Sequence, residues 1–384
     1  MNHQEQLNRT LVVGTAPPTR CGLATYTSNV REALRASGTD AGVLRLLNHL
    51  EPARPTPDGV VATWRAGEPD GAIRAAEVAN EFDRVLIQHE FGIYPGDEGI
   101  GIVKFLGHLD RPPVAVLHTV LAEPNPLQRE VLAALVDTAS ALVVHGPTAR
   151  HRLLDTVAID PERVVVIPHG ATTRKRHSAD FDDSSPLMLT WGLIGPGKGI
   201  EHGINAIGQL REMGVDVGYL VAGSTHPNVR NQHGEQYRQS LQDLAVSRGV
   251  EDLVRFDNRY CSWREQQDWI DQASFVLLPY DNHDQVTSGV LVEAMAAGKP
   301  VIATAFAHAR ELESTGALFV VDHGSSAQIA ASIHELVSDP ELCHRMETSA
   351  RIEGMRCDWG VIGHRFAELL RASTQFAGAG GVMR

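Results

Sequence analysis

Short apolar runs recur through the first part of the chain, at 11–13, 43–47, 85–88, 114–118, 142–145 and 164–167, separated by stretches with apolar residues at helical spacing. Runs that are mostly apolar, rather than alternating, suit strands buried on both faces, so the pattern predicts a parallel sheet covered by helices on both sides. After Gly170 it stops, and residues 173–185 are polar, charged and without period, as a linker is. The pattern restarts at 187–191, 219–222, 254–256, 275–278, 301–303 and 318–321, which predicts a second doubly wound sheet. Helical stretches follow at 326–337 and 361–370, and the Gly- and Ala-rich tail 375–384 is expected to fray. The expected organisation is an N-terminal domain over 1–172, a linker over 173–185, a C-terminal domain over 186–360, and a helix and tail over 361–384 that pack back on the N-terminal domain.

A chain of 384 residues exceeds one ordinary core and suits two domains with a cleft between them. Ligands of parallel sheets bind outside the carboxyl ends of the strands, so the loops after strands carry the functional information. The formal net charge of -13 at pH 7 disfavours nucleic acid and anionic lipid, because phosphate backbones demand concentrated Lys and Arg. Cys21, Cys261, Cys343 and Cys357 lack the paired spacing of a zinc or redox site and read as free thiols of a reducing compartment. The polar start and the brief apolar run after it form neither a secretory leader nor a span, so a soluble, cytoplasmic protein is expected.

Two segments carry most of the chemistry. Residues 278–304 read L-P-Y-D-N-H-D-Q-V-T-S-G-V-L-V-E-A-M-A-A-G-K-P-V-I-A-T: a strand end, a polar loop, and a helix capped by Thr287 or Ser288 that passes Glu293 and stops at Gly298. Its first amides, at Gly289 and beyond, present N–H groups and a positive dipole end suited to phosphate. Residues 191–200 read W-G-L-I-G-P-G-K-G-I, a turn in which Gly195 and Gly197 let backbone approach a diphosphate and Lys198 adds a mobile charge. The G-x-G-x-x-G spacing of a dehydrogenase is missing. Asp180-Phe181-Asp182 has the carboxylate spacing of metal-dependent transferases but follows no strand, and reads as chance.

These segments resemble the donor-binding loops of the family 4 retaining glycosyltransferases, and the resemblance spans nearly the whole chain. It implies the GT-B fold, two doubly wound Rossmann-like domains facing a cleft. It also implies a nucleotide diphosphate sugar as donor, of GDP-mannose or UDP-glucose type, and a saccharide or small molecule as acceptor, with no metal and no cofactor. In that family two glutamates lie eight residues apart. Glu293 fills the second place, at the ribose; Gln285 stands in the first, where it can hydrogen-bond sugar hydroxyls but carries no charge. The family's arginine five residues before the lysine is Leu193 here, so Arg20 or Arg259 is the expected substitute.

The same resemblance puts His118, at the end of 116–119 (V-L-H-T), against the transferred sugar, and Gly22, in 17–22 (P-P-T-R-C-G), near the phosphates. Thr287, Ser288 and Gly289 line the donor, and Tyr260 stacks on its base. Arg20, His89, Glu90 and His226 border the cleft or the acceptor, and 167–170 supports the hinge. Lys198 and the helix start stabilise the leaving diphosphate, while Gln285 and His118 orient the hexose, so positioning and electrostatics carry the catalysis. The departures at Leu193 and Gln285 keep two alternatives in view: a phosphorylase or epimerase on the same architecture, and a non-catalytic nucleotide-sugar-binding partner of an active transferase.

Overall fold

The computed structural model describes residues 9–48, 57–173, 186–261, 263–283 and 285–379. Most of the expected linker, with Asp180-Phe181-Asp182, lies outside them. Two compact units emerge: 1–170 together with 359–384, and 171–358.

The first unit holds seven strands: β1 (Arg9–Gly14), β2 (Asp40–Leu47), β3 (Val60–Arg65), β4 (Arg84–His89), β5 (Val114–Leu117), β6 (Ala141–Val144) and β7 (Val164–Val166). All pair in parallel, in the order β3-β2-β1-β4-β5-β6-β7. The second holds β8 (Leu187–Trp191), β9 (Gly218–Ala222), β10 (Val254–Asp257), β11 (Phe275–Leu278), β12 (Val301–Thr304) and β13 (Leu318–Val321), ordered β10-β9-β8-β11-β12-β13 and again parallel. In each sheet the strand order reverses beside its first strand, between β1 and β4 and between β8 and β11. Loops leaving those strands diverge there and open a crevice.

Every expected strand forms; β3 is the addition. It is an edge strand whose residues alternate between half-buried and exposed, so it shows no continuous apolar run. Trp64 alone turns fully inward, packing on Phe105 and Tyr94 at ring distances of 5.5 and 5.8 Å.

The core of the first unit rests on a helix pair. The helix Gly22–Ala36 starts at Cys21, whose sulfur accepts the Ala24 N–H at 3.3 Å, and ends before Gly38 at φ +81°. Its Val30 and Leu34 meet Ile362, Phe366 and Leu370 of the C-terminal helix Trp359–Ala379 and the β1 residue Val12. Contact is close enough that a Cβ on Gly363 would lie 2.6 Å from the Ala33 carbonyl oxygen.

The unit boundary falls between Gly170 and Ala171, slightly before the expected 172. The reason is pairing: Ala171 N–H donates to Cys357 O at 2.7 Å, and Ala171 bridges Asp358. The C-terminal helix begins at Trp359, whose ring occupies the place a Cβ on Gly170 would take, 2.4 Å away. A helix not expected from the pattern, Pro340–Arg356, is capped by Asp339, with Pro340 at its first turn, and lies against the helix Gly289–Ala296; a Cβ on Gly354 would come within 2.4 Å of Ala296 Cα. All four cysteines are free thiols. Among the described residues no helix is long and apolar enough to cross a membrane.

The Gly363 contact yields a direct test. Gly363→Val forces the two helices of the first unit apart, an overpacking cost of about 1–3 kcal/mol, and is expected to lower the unfolding midpoint by several degrees in calorimetry. An unchanged midpoint means the helices do not meet at that glycine.

Candidate functional site

The loop after β8 is shaped by backbone that only glycine tolerates. Gly192, Gly197 and Gly199 sit at φ +125°, +82° and +63°. A Cβ on Gly199 would lie 1.8 Å from the Pro279 carbonyl oxygen, so this loop rests directly on the loop after β11. Asp281 N–H donates across to Gly197 O at 3.0 Å and ties the two together. Gly199 also caps the helix Ile200–Glu212 without a side chain, which leaves that helix start open. Lys198 leans over the buried ring of Tyr280, its Nζ 4.4 Å from the centroid, so its charge is held at the switch point of the sheet.

The loop after β11 delivers the second helix start. Ser288, rather than Thr287, caps Gly289–Ala296: its Oγ accepts the Leu291 N–H at 3.2 Å, while its own N–H donates to His308 Nδ1 at 3.0 Å. The Thr287 hydroxyl is buried without a partner among the described residues. Gln285 folds into its own loop, its Nε2 donating to Thr287 O at 3.1 Å. Glu293 lies one turn into the helix and is no solvated surface carboxylate. Burial pushes its carboxyl up to about 7, against a hydrogen bond from Trp191, the last residue of β8.

Around this centre the remaining second-unit candidates separate. His226, beyond β9, caps the helix Pro227–His233 through Nδ1, which accepts the Asn228 N–H at 3.2 Å. Burial, and then the Lys198 charge, lower its pKa, so His226 and Lys198 are brought together with the imidazole neutral. Arg259, beyond β10, is held by both oxygens of Asp257, at 2.7 and 3.0 Å, and by Glu265 at 3.5 Å. Its charge is thus balanced locally. It lines an open hollow of about 490 Å³ with Arg255, Asp257, Asn258 and Trp269, and half-buried Tyr260 follows it in the chain.

A grouping that sequence spacing does not reveal joins Glu201, His202 and Asp281, whose ligand atoms lie within 4.8 Å of one another. These are ligand types for a divalent cation. They already bond within the fold: His202 Nε2 to Asp281 Oδ1 at 3.2 Å, and the Tyr237 hydroxyl to Glu201 at 2.7 Å.

In the first unit the candidates also sit at strand ends. Arg20 is exposed in the loop after β1, and Gly22 opens its helix with nothing within 4 Å of where a Cβ would be. Glu90, after β4, accepts bonds from the Thr119 hydroxyl and from Phe91 N–H; burial raises its pKa, and those two bonds oppose the rise. His89 turns the other way. Fully buried between Phe91 and Tyr94, at ring distances of 4.9 and 6.1 Å, it is held neutral by burial alone, with its pKa at about 3. The cavity beside it, about 10 Å³, admits no sugar.

His118 follows β5 and bonds Gln88 at 2.8 Å. Burial, reinforced by His145, His169 and His89, lowers its pKa well below the usual imidazole range. Its ring stands 4.6 Å from Tyr26 and 4.9 Å from His145, and Tyr26 also touches His169 and Trp359 at 4.8 and 5.2 Å. Sequence spacing marks His145 for no role and His169 only as part of the hinge support at 167–170. The available signal was their shared position, since each follows an apolar strand as His118 does.

Residues 171–353 match the family Glycosyl transferases group 1. The D-inositol 3-phosphate glycosyltransferase of Thermobispora bispora is 28% identical over 286 residues, 67% of this chain and 64% of that protein, so the match spans slightly less than two thirds of this relative's length. The alpha-D-kanosaminyltransferase of Streptomyces kanamyceticus is 26% identical over 345 residues, 82% of this chain and 84% of that one. Among solved structures, Anabaena HepE in complex with UDP and glucose has a TM-score of 0.74 at 17% identity, covering 94% of this chain and 99% of the other. The shared fold is GT-B.

Glu293 provides a pH test. Its native pKa stands at about 7 against an ordinary 4.5, so the folded state binds the proton more tightly than the unfolded chain. The resulting stability is complete below about pH 4.5 and is lost as pH rises through 7. Glu293→Gln is therefore expected to match the wild type near pH 4.5 and to exceed it by about 3 kcal/mol at pH 8 in thermal unfolding. Equal stabilities at both pH values would show a carboxyl that titrates normally.

Proposed function

We propose that this chain, whose second unit carries a group 1 glycosyltransferase domain, transfers a hexose from a nucleoside diphosphate sugar to a saccharide or small-molecule acceptor, with retention of anomeric configuration and without a metal ion. The observation that carries the reading is the pair of glycine-bounded loops at the β8/β11 switch point. They present two helix starts and the Lys198 ammonium in one place, which suits a diphosphate leaving group.

In this reading Lys198 and the amides at Gly195, Gly197 and Gly289 take up the charge that develops on the diphosphate. Glu293, half-buried in the helix that starts there, accepts the ribose hydroxyls. Gln285 and His118 orient the hexose. Both are uncharged, so they position it through hydrogen bonds rather than through a carboxylate opposite the sugar ring. The base lies toward the hollow beyond β10, beside Tyr260. Because Arg259 is neutralised by Asp257, the missing family arginine at Leu193 is met chiefly by backbone amides, and no cofactor is required. The UDP and glucose held by the Anabaena neighbour support a donor of this class.

Calorimetric titration with UDP-glucose and GDP-mannose tests the donor, and failure of both to bind removes the proposal. With the donor that binds, Lys198→Ala is expected to lower turnover by roughly 10²–10³, the scale of losing one preorganised charge-stabilising donor. Turnover is expected to persist in excess chelator. Its loss would instead direct attention to Glu201, His202 and Asp281.

A further inference from the structure

The imidazole of His118 makes one hydrogen bond among the described residues, and its geometry is set by strand register. β4 and β5 pair so that Gln88 stands opposite Val116. His118, two residues past Val116, returns to the same face of the sheet, the face covered by Tyr26. There His118 Nε2 meets Gln88 Oε1 at 2.8 Å.

Gln88 is placed with little freedom. Its side chain is fully buried, and a Cβ on Gly14 of β1 would lie 3.1 and 3.2 Å from its Cβ and Cγ, so the neighbouring strand makes room for it only as glycine. The Tyr94 hydroxyl donates to its backbone oxygen at 2.8 Å from the other side. A neutral imidazole carries one N–H, and a carbonyl oxygen facing Nε2 requires that the proton be there. Nδ1 then holds a lone pair. It has no partner among the described residues and is not among the buried unpartnered atoms, so it keeps some exposure.

We propose that Gln88 is a positioning residue that fixes His118 in its Nε2–H tautomer and so presents Nδ1 as an acceptor to a hydroxyl of the transferred sugar. The direction of that bond matters for the chemistry. A hydroxyl that donates to Nδ1 gains electron density and supports a ring becoming positive; one that accepts from Nδ1–H loses it. This inference rests on the assignment of His118 to the sugar given above, but its tautomer component can be read without any donor.

The experiment uses the whole protein labelled with ¹⁵N-histidine, with the His118 resonances assigned by their loss in His118→Asn. Long-range proton–nitrogen spectra should show a protonated Nε2 and an unprotonated Nδ1. In Gln88→Met, of similar length and without an oxygen acceptor, this tautomer should be lost. Release of UDP from UDP-glucose, or of GDP from GDP-mannose, should fall about 10- to 100-fold in kcat, with donor KM changed less than about threefold. Gln88→Glu, which keeps an acceptor oxygen at the same length, should keep the Nε2 proton, and it tests the bond independently if the methionine variant does not fold. A wild-type Nδ1–H tautomer, or loss of the Nε2 proton in Gln88→Glu, overturns the proposal. So does a Gln88→Met variant that keeps both tautomer and turnover. A changed tautomer with unchanged turnover overturns the catalytic part and removes His118 from the sugar, leaving the donor-binding reading of the second unit intact.

Discussion

The contact between Gly199 and the Pro279 carbonyl governs the second unit. No side chain fits there, since a Cβ would stand 1.8 Å from that oxygen. Because the loop after β8 can lie on the loop after β11, the Asp281–Gly197 bond forms, Lys198 reaches the face of Tyr280, and two helix starts converge at one switch point. A similar constraint recurs one strand away, where a Cβ on Gly223 would come within 1.9 Å of Gly192 O. Backbone packed on backbone brings amides close to a ligand in a way that loops spaced by side chains cannot.

The two units use burial to opposite ends. In the second, the loops at the switch point concentrate positive potential from Lys198 and helix amides, and Glu293 beneath them is held up at about 7 by desolvation. In the first, the strand ends carry imidazoles that burial keeps neutral: His118 well below its ordinary range and His145 at about 4. One set of strand ends favours an anion; the other offers uncharged donors and acceptors of the kind that grip hydroxyl groups.

Much of the architecture was legible because buried parallel strands are predominantly apolar, and twelve such runs stand out from the helical spacing between them. β3 was not, because an edge strand with one covered face lacks that signature. The helix Pro340–Arg356 lies outside the expected pattern, although Asp339 and Pro340 form an ordinary start signal for it. Among the site residues, Ser288 could be narrowed only to one of two caps, and His89 could not be separated from Glu90. Adjacent residues of a strand face opposite ways, and which face is the core depends on what packs there.

The sequence by itself determined two doubly wound parallel sheets, the glycine loop with Lys198, and a capped helix carrying Glu293, because these follow from local periodicity and backbone chemistry. Only the tertiary structure decided which side chains meet. It engaged Arg259 with Asp257, gathered Glu201, His202 and Asp281, set His118 against Gln88, and surrounded Tyr26 with histidines from successive strand ends. These partners lie far apart along the chain or depend on how each side chain turns. Strand register and burial bring them together, and neither is written in local spacing.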